Sequence, residues 1–277
     1  MPVGIDAAAA VAYAASHGSE ALVIAREGAI VEEWFAEGWN ADRAHALYSG
    51  TKSFWGPVAI CARQDGLLEL DEPVAQTIAA WRDDPVKSRI TLRMLLSLTA
   101  GYGFGGLGAS VPPFERALDV PVKNVPGSRF VYGGISLQVF GAVLARRLAD
   151  RNQTPHEYLR ERILEPAGVT VDKWRELRDG TYPLPTGAFL SANDWLAYGR
   201  YVVSQHAHFA ECFNGSLANE RYGLGWWLSA RSAPPDIVYA SGSNGQALYV
   251  APSLDLVIVR FGRKAIPHEA FLKRVFG

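Results

Sequence analysis

A chain of 277 residues with 49% hydrophobic side chains and eight tryptophans has enough apolar material for a sizeable core, which excludes a disordered chain. The formal net charge is −1 and no run of Lys or Arg occurs, so nothing points to nucleic acid or an anionic membrane surface as a partner. No stretch of about 18 apolar residues is present, so no membrane span is expected, and a small molecule is the expected partner.

Residues Ile5 to His17 have helical composition and stop at Gly18. Within them Ala7 to Ala15 is apolar, but no Lys or Arg precedes it and the first is Arg26. A secretory signal needs a positive leading region, so this stretch reads as an ordinary helix and the chain is expected in the cytoplasm. Two strand-like runs, Ala21–Ala25 and Ala29–Trp34, flank Arg26-Glu27-Gly28 and predict a β-hairpin. Apolar residues at helical spacing follow over Thr51–Arg63, Thr91–Thr99, Leu137–Ala149, Pro155–Leu164 and Ala192–Val203. Thr154-Pro155 and Ser191 look like helix starts. Glycine- and proline-rich loops run from Gly101 to Pro113 and from Thr181 to Gly187.

Towards the C-terminus the character returns to strand: Tyr222–Leu228, Asp236–Tyr239, Gln246–Val250 and Leu254–Arg260, then a closing helix over Glu269–Phe276. Strands at both ends enclosing a helical insert predict one antiparallel sheet and an α+β fold. Cys61 and Cys212 have apolar neighbours and read as two buried free thiols.

Three motifs carry chemistry. In Tyr48-Ser49-Gly50-Thr51-Lys52 a serine opens a helix, and the lysine lies one turn on, on the same face. A partly desolvated lysine either loses its proton and acts as a base or stays charged and lowers a neighbour's pKa. Phe130-Val-Tyr132-Gly133-Gly134 presents a tyrosine whose hydroxyl can move protons for the serine and the leaving group. Ala240-Ser241-Gly242-Ser243 follows a strand; its glycine lets a substrate approach, and a backbone N–H there can complete an oxyanion hole. Alone, each has a bland counterpart: a serine N-cap with a solvated lysine, a core tyrosine, and a hairpin turn. No histidine lies in the three motifs, so a coupled Lys52–Tyr132 pair is expected to handle the protons.

Taken in this order, the motifs resemble the serine β-lactamase and penicillin-binding-protein superfamily, and within it the class C-like esterase and amidase branch. The resemblance extends over Ile90–Gly101, Pro126–Gly141, Ser191–Gly199, Tyr222–Trp227 and Gly242–Gln246. It implies a β-lactamase/transpeptidase-like fold: an antiparallel sheet flanked by helices (residues 1–48 and 205–277), an all-helical lobe (49–204), and an active site in the crevice between them. It also implies that Ser49 is the nucleophile, Lys52 its partner and Tyr132 the motif tyrosine, with the backbone N–H groups of Ser49 and Ser243 forming the oxyanion hole. Ser241, Gly242, Ser243 and Gly134 are the remaining candidate oxyanion and substrate-binding positions.

Two positions depart from the family pattern. Gly134 stands where an asparagine is common, and Ala240 where a lysine or histidine is common, so β-lactam acids are expected to be poor substrates. Arg260, Arg263 or Lys264 would have to fold back to supply a missing cation. The expected activity is hydrolysis of a small ester or amide through an acyl-enzyme, with no cofactor and no metal. The rival is a binding or sensor module that kept the pocket without turnover. Gly101–Gly106 satisfies G-x-G-x-x-G but lacks the preceding strand of a dinucleotide site, and reads as a substrate-lining loop or an inert connection. His206 and His208 lack a third metal ligand nearby, Trp226-Trp227 reads as core packing, and the absence of G-x-S-x-G argues against an α/β-hydrolase.

Overall fold

The computed structural model describes residues 4–228 and 231–277. Six strands form an antiparallel sheet in the order β2-β1-β9-β8-β7-β6. They are β1 (Ser19–Arg26), β2 (Ala29–Phe35), β6 (Trp227–Leu228), β7 (Val238–Gly242), β8 (Gln246–Ala251) and β9 (Leu256–Gly262); a two-residue sheet strand β3 (His45–Ala46), with β4 (Lys173–Trp174) and β5 (Ala188–Leu190), makes a separate small sheet in the order β3-β5-β4. The predicted hairpin is present. Glu27 and Gly28 both have positive φ, 52° and 77°, the mirror-image turn whose twist matches the flanking strands.

Strand β1 is almost wholly buried because both faces of the sheet are covered. Leu22 and Ile24 point to one side, into a cluster with Ala10 and Ala14 of α1 (Ala7–Ser16) and with Phe271, Leu272 and Val275 of the last helix, His268–Phe276. Ala21, Val23 and Ala25 point to the other side, into the main core. Asp6 caps α1 by accepting from the Ala9 amide at 2.9 Å, and its own amide donates to the Val275 carbonyl, tying the two terminal helices together.

The remaining helices are α2 (Trp55–Gln64), α3 (Leu92–Leu96), α4 (Phe114–Leu118), α5 (Ile135–Leu148), α6 (Pro155–Leu159), α7 (Ala192–Ser204) and the closing α8 (His268–Phe276). Thr154 opens α6 with a capping box, its hydroxyl accepting from Glu157 N while Glu157 accepts from Thr154 N. Ser191 caps α7.

Several elements depart from expectation for local reasons. The run from Thr91 ends at Leu96 because Leu98 turns left-handed (φ 58°) and the Thr99 amide reaches back to the Met94 carbonyl. Pro155–Leu164 is α-helical only to Leu159 and then makes one π-helical turn, Arg160–Leu164. Tyr222–Leu228 is strand only at Trp227 and Leu228, since Gly223 donates back to the Trp226 carbonyl and Gly225 takes φ 87°. Helix α7, grouped by sequence with the helical lobe, packs on the sheet: Trp195, Tyr198 and Val202 share the main core with Leu248, Val257 and Val259. That core runs without a break from the sheet into α2 and α5.

Candidate active site

The serine lies on a 3-10 helix, Tyr48–Phe54, that continues into α2 rather than on an α-helix beginning at Thr51. Tyr48, immediately before Ser49, takes φ 47°, a strained conformation for a residue with a side chain. The segment is anchored from several directions. The Ser53 carbonyl accepts from Tyr198 Oη at 2.8 Å and from Trp226 Nε1 at 3.0 Å, and the Leu47 amide donates to the Ala188 carbonyl.

Lys52 Nζ donates to Ser49 Oγ at 2.9 Å and to the Pro185 carbonyl at 3.2 Å. The lysine is only 1% exposed, and burial pushes its pKa down to about 7, so a neutral amine is available at ordinary pH. Tyr132 hydrogen-bonds Ser49, and its ring centroid lies 4.7 Å from Lys52 Nζ. Burial raises the Tyr132 pKa against the opposing effect of that hydrogen bond, so the phenol keeps its proton. Its loop is fixed to the end of α3, with Val131 N donating to Leu98 O at 3.0 Å and Gly127 N to Thr99 O at 2.8 Å.

Ser49, Tyr132, Ser241, Gly242 and Ser243 line one cavity of about 330 Å³, together with Trp227, Tyr239 and His268. A larger cavity of about 480 Å³, walled by His156, Trp174 and Tyr182 among others, contains none of the predicted site residues. Neither Ser49 N–H nor Ser243 N–H donates to an acceptor among the described residues, leaving both amides free for an oxyanion.

Ala240, Ser241 and Gly242 of the third motif lie on β7 itself, with Ser243 just past its end, and strand alternation divides their side chains. Tyr239 and Ser241 face the cavity, whereas Ala240 is 1% exposed in the main core. The family's cation position is therefore not an open slot here, because a lysine at 240 would be buried. Gly242 serves close packing: a Cβ there would stand 2.1 Å from the Leu47 carbonyl oxygen.

Gly134, predicted to bind substrate, does not line the cavity. It caps α5, donates from N to the Gly105 carbonyl at 2.9 Å, and a Cβ on it would meet the Gly106 oxygen at 1.9 Å. The glycine-rich 101–106 loop thus backs the tyrosine motif, and an asparagine at 134 would collide with it. The three downstream cations do not reach the site either. Arg260 is fully buried on Ser19 Oγ and the Gly245 and Lys264 carbonyls, Arg263 pairs with Glu20, and Lys264 flanks Gly18.

Three residues of the cavity wall escaped the sequence reading: Trp227, Tyr239 and His268. Trp226 is core, as expected, but Trp227 lines the cavity, stacked on Tyr132 at 5.7 Å and on Tyr239 at 6.4 Å. A histidine from outside the three motifs also enters: His268, the first residue of α8, lies 2.9 Å from Ser241 Oγ. No motif marks it. His206 stacks on Phe213, and His208 meets Gln64. Among the described residues no group of three or more His, Cys, Asp or Glu could hold a metal ion. Cys61 and Cys212 are free and buried, and no helix among the described residues is long and apolar enough to cross a membrane.

The Beta-lactamase family model matches residues 7–274. No match was found among curated proteins. Among solved structures, the hydrolase with promiscuous acyltransferase activity EstCE1 superposes with a TM-score of 0.79 at 17% identity, covering 98% of each chain. A β-lactamase/D-alanine carboxypeptidase from Pseudomonas syringae gives 0.76 at 16% identity, covering 96% of this chain and 95% of that one. A class C β-lactamase from Rhodobacter sphaeroides gives 0.73 at 16% identity, covering 97% and 96%. At these identities the superpositions establish a shared fold.

Proposed function

The chain belongs to the beta-lactamase family of serine hydrolases, and on that premise we propose that it cleaves a small ester or amide through an acyl-enzyme on Ser49. The observation that carries this reading is the 2.9 Å contact between Ser49 Oγ and a buried lysine whose pKa is lowered to about 7. As Ser49 Oγ bonds to the substrate carbonyl carbon, the neutral Lys52 amine takes the hydroxyl proton. The carbonyl oxygen becomes an oxyanion held by the Ser49 and Ser243 amides. Collapse of this intermediate breaks the bond to the leaving group, which takes the Tyr132 phenol proton; the Lys52 ammonium then returns a proton to Tyr132. Water attacks the acyl carbonyl by the same relay, releasing the acid and restoring the serine hydroxyl.

The reading as a binding module without turnover has less support, because Gly134 and Ala240, which suggested it, both have packing roles. Among the described residues no Arg, Lys, Asp or Glu lines the cavity, which favours uncharged substrates. A fluorophosphonate probe is expected to label Ser49, and Ser49→Ala is expected to abolish both labelling and nitrophenyl ester turnover while leaving the denaturation midpoint unchanged. Substantial turnover by Ser49→Ala would refute the assignment.

A further inference from the structure

A hydrogen-bonded relay runs from β8 to the cavity wall. Tyr249 Oη lies 2.7 Å from His268 Nδ1, and His268 Nε2 lies 2.9 Å from Ser241 Oγ. Tyr249 is 1% exposed, and its hydroxyl has no other hydrogen-bond partner among the described residues. Burial, reinforced by Arg260 and opposed by Glu269, holds the His268 pKa at about 4, so near neutral pH the ring has one donor nitrogen and one acceptor nitrogen. If Nδ1 carried the proton, Tyr249 would have to accept from it, leaving its own hydroxyl hydrogen buried without an acceptor. The arrangement that satisfies every buried group is the other one. Tyr249 donates to Nδ1, Nε2–H donates to Ser241 Oγ, and the Ser241 hydroxyl hydrogen is left without a protein acceptor, on a residue that lines the cavity.

We propose that Tyr249 and His268 are positioning residues that turn the Ser241 hydroxyl hydrogen into the cavity, giving the site a neutral donor for an uncharged oxygen acceptor on the substrate, such as an ether or amide carbonyl oxygen. The inference rests on the hydrolase reading of this cavity and specifies the substrate class it takes. The cavity wall is otherwise aromatic or small: Trp227, Tyr239, Tyr132 and Gly242. An acceptor placed against Ser241 is therefore paired, whereas a methylene in its place leaves the donor dry and unsatisfied.

The test has two arms, both on the full chain. In the first, ¹⁵N NMR of histidine-labelled protein, with the His268 signals identified by their loss in His268→Gln, reads the tautomer directly. The relay predicts Nε2–H in the wild type and a shift towards Nδ1–H in Tyr249→Phe, where Ser241 can donate back to Nε2. In the second, kcat/KM is measured for p-nitrophenyl methoxyacetate and p-nitrophenyl butyrate, which differ by an ether oxygen for a methylene. Intrinsic reactivity and any general loss of activity divide out when this ratio is compared between proteins. The wild-type ratio is expected to exceed that of Tyr249→Phe and of Ser241→Ala by about three- to tenfold, the range for one hydrogen bond. An Nδ1–H tautomer in the wild type, or the same ratio in all three proteins, overturns the proposal. If neither ester is turned over, the hydrolase reading fails while the tautomer still decides the relay; if Tyr249→Phe does not fold, the wild-type spectrum and Ser241→Ala carry the test.

Discussion

Lys52 and Tyr132 respond to burial in opposite senses, and this divides the work between them. Burial disfavours the charged form of each, so the lysine loses its proton more readily while the phenol holds its own. The sequence left open which of the two takes the serine proton; these shifts favour the lysine as base and the tyrosine as donor to the leaving group. The expected kcat/KM profile follows. Activity rises with pH as Lys52 deprotonates around 7 and is then flat, with no loss from Tyr132 up to roughly pH 9, because its pKa lies above the ordinary tyrosine value. Lys52→Ala is expected to cost on the order of 10²-fold or more and to remove the acid limb. A bell-shaped profile falling between pH 7 and 9, or an acid limb that survives Lys52→Ala, would contradict the assignment. The serine–lysine pair was legible in the sequence because the spacing of three is local and the helix fixes the geometry. His268 was not, since only the fold brings the start of α8 to β7.

At the scale of elements, the site depends on a turn held from behind. Ser243 opens the short connection Ser243–Gly245 between β7 and β8, and the Gly245 carbonyl accepts from Arg260 on β9. The same guanidinium holds Ser19 Oγ at 2.8 Å and the Lys264 carbonyl at 3.2 Å. Arg260→Met keeps the apolar stem and leaves these acceptors unpaired in the interior. Each acceptor left unpaired in the interior costs about 1–3 kcal/mol, so the loss of all three should lower stability by roughly 3–9 kcal/mol. Because the Ser243 amide loses its fixed position, kcat should fall about tenfold, with a smaller change in KM, on the scale of losing part of an oxyanion donor. Urea melts and steady-state kinetics check this, and an unchanged kcat would show that the turn holds itself. Period-two alternation fixes which side chains of β7 reach the cavity. With Val238 and Ala240 inward, Tyr239 and Ser241 must face the cavity, and the side chain at 240 does not meet a substrate. Trp226 and Trp227 divide in the same way, one to the core and one to the cavity wall. The amphipathic pattern of α7 marked a buried face, but nothing local said that the sheet would cover it.

Half-buried neutral histidines make the whole fold sensitive to acid. Burial lowers His156 to about 3 and His268 to about 4, against an ordinary value near 6.5. Below about 6.5 the unfolded chain binds protons that the native state refuses, so stability rises with pH across this window and is lost as pH falls towards 4. Each histidine contributes up to ~1.4 kcal/mol per pH unit. His45 contributes less than its own lowered value suggests, because the Glu20 carboxylate 3.4 Å from Nδ1 favours the charged ring. Lys52 has the same sign in a higher window: the native state refuses its proton from about 7 upward, so stability continues to rise towards the ordinary lysine value. Urea midpoints should therefore fall steadily from pH 8 to pH 5, and a flat profile would contradict this account. The α+β architecture was legible from strand runs at both ends of the chain, because the hairpin and the closing strands carry their own turn chemistry. The continuity of one core across sheet and helices was not, since it depends on which faces meet.

A covalent acyl-enzyme on Ser49 can be trapped during turnover. Wild-type protein is mixed with excess nitrophenyl ester, quenched in acid within milliseconds, digested, and its peptides weighed. A stoichiometric burst of nitrophenol and an acyl mass on the peptide carrying Ser49 are expected, absent from Ser49→Ala and formed more slowly in Lys52→Ala. An acyl adduct on another residue, or full turnover by Ser49→Ala, would contradict it.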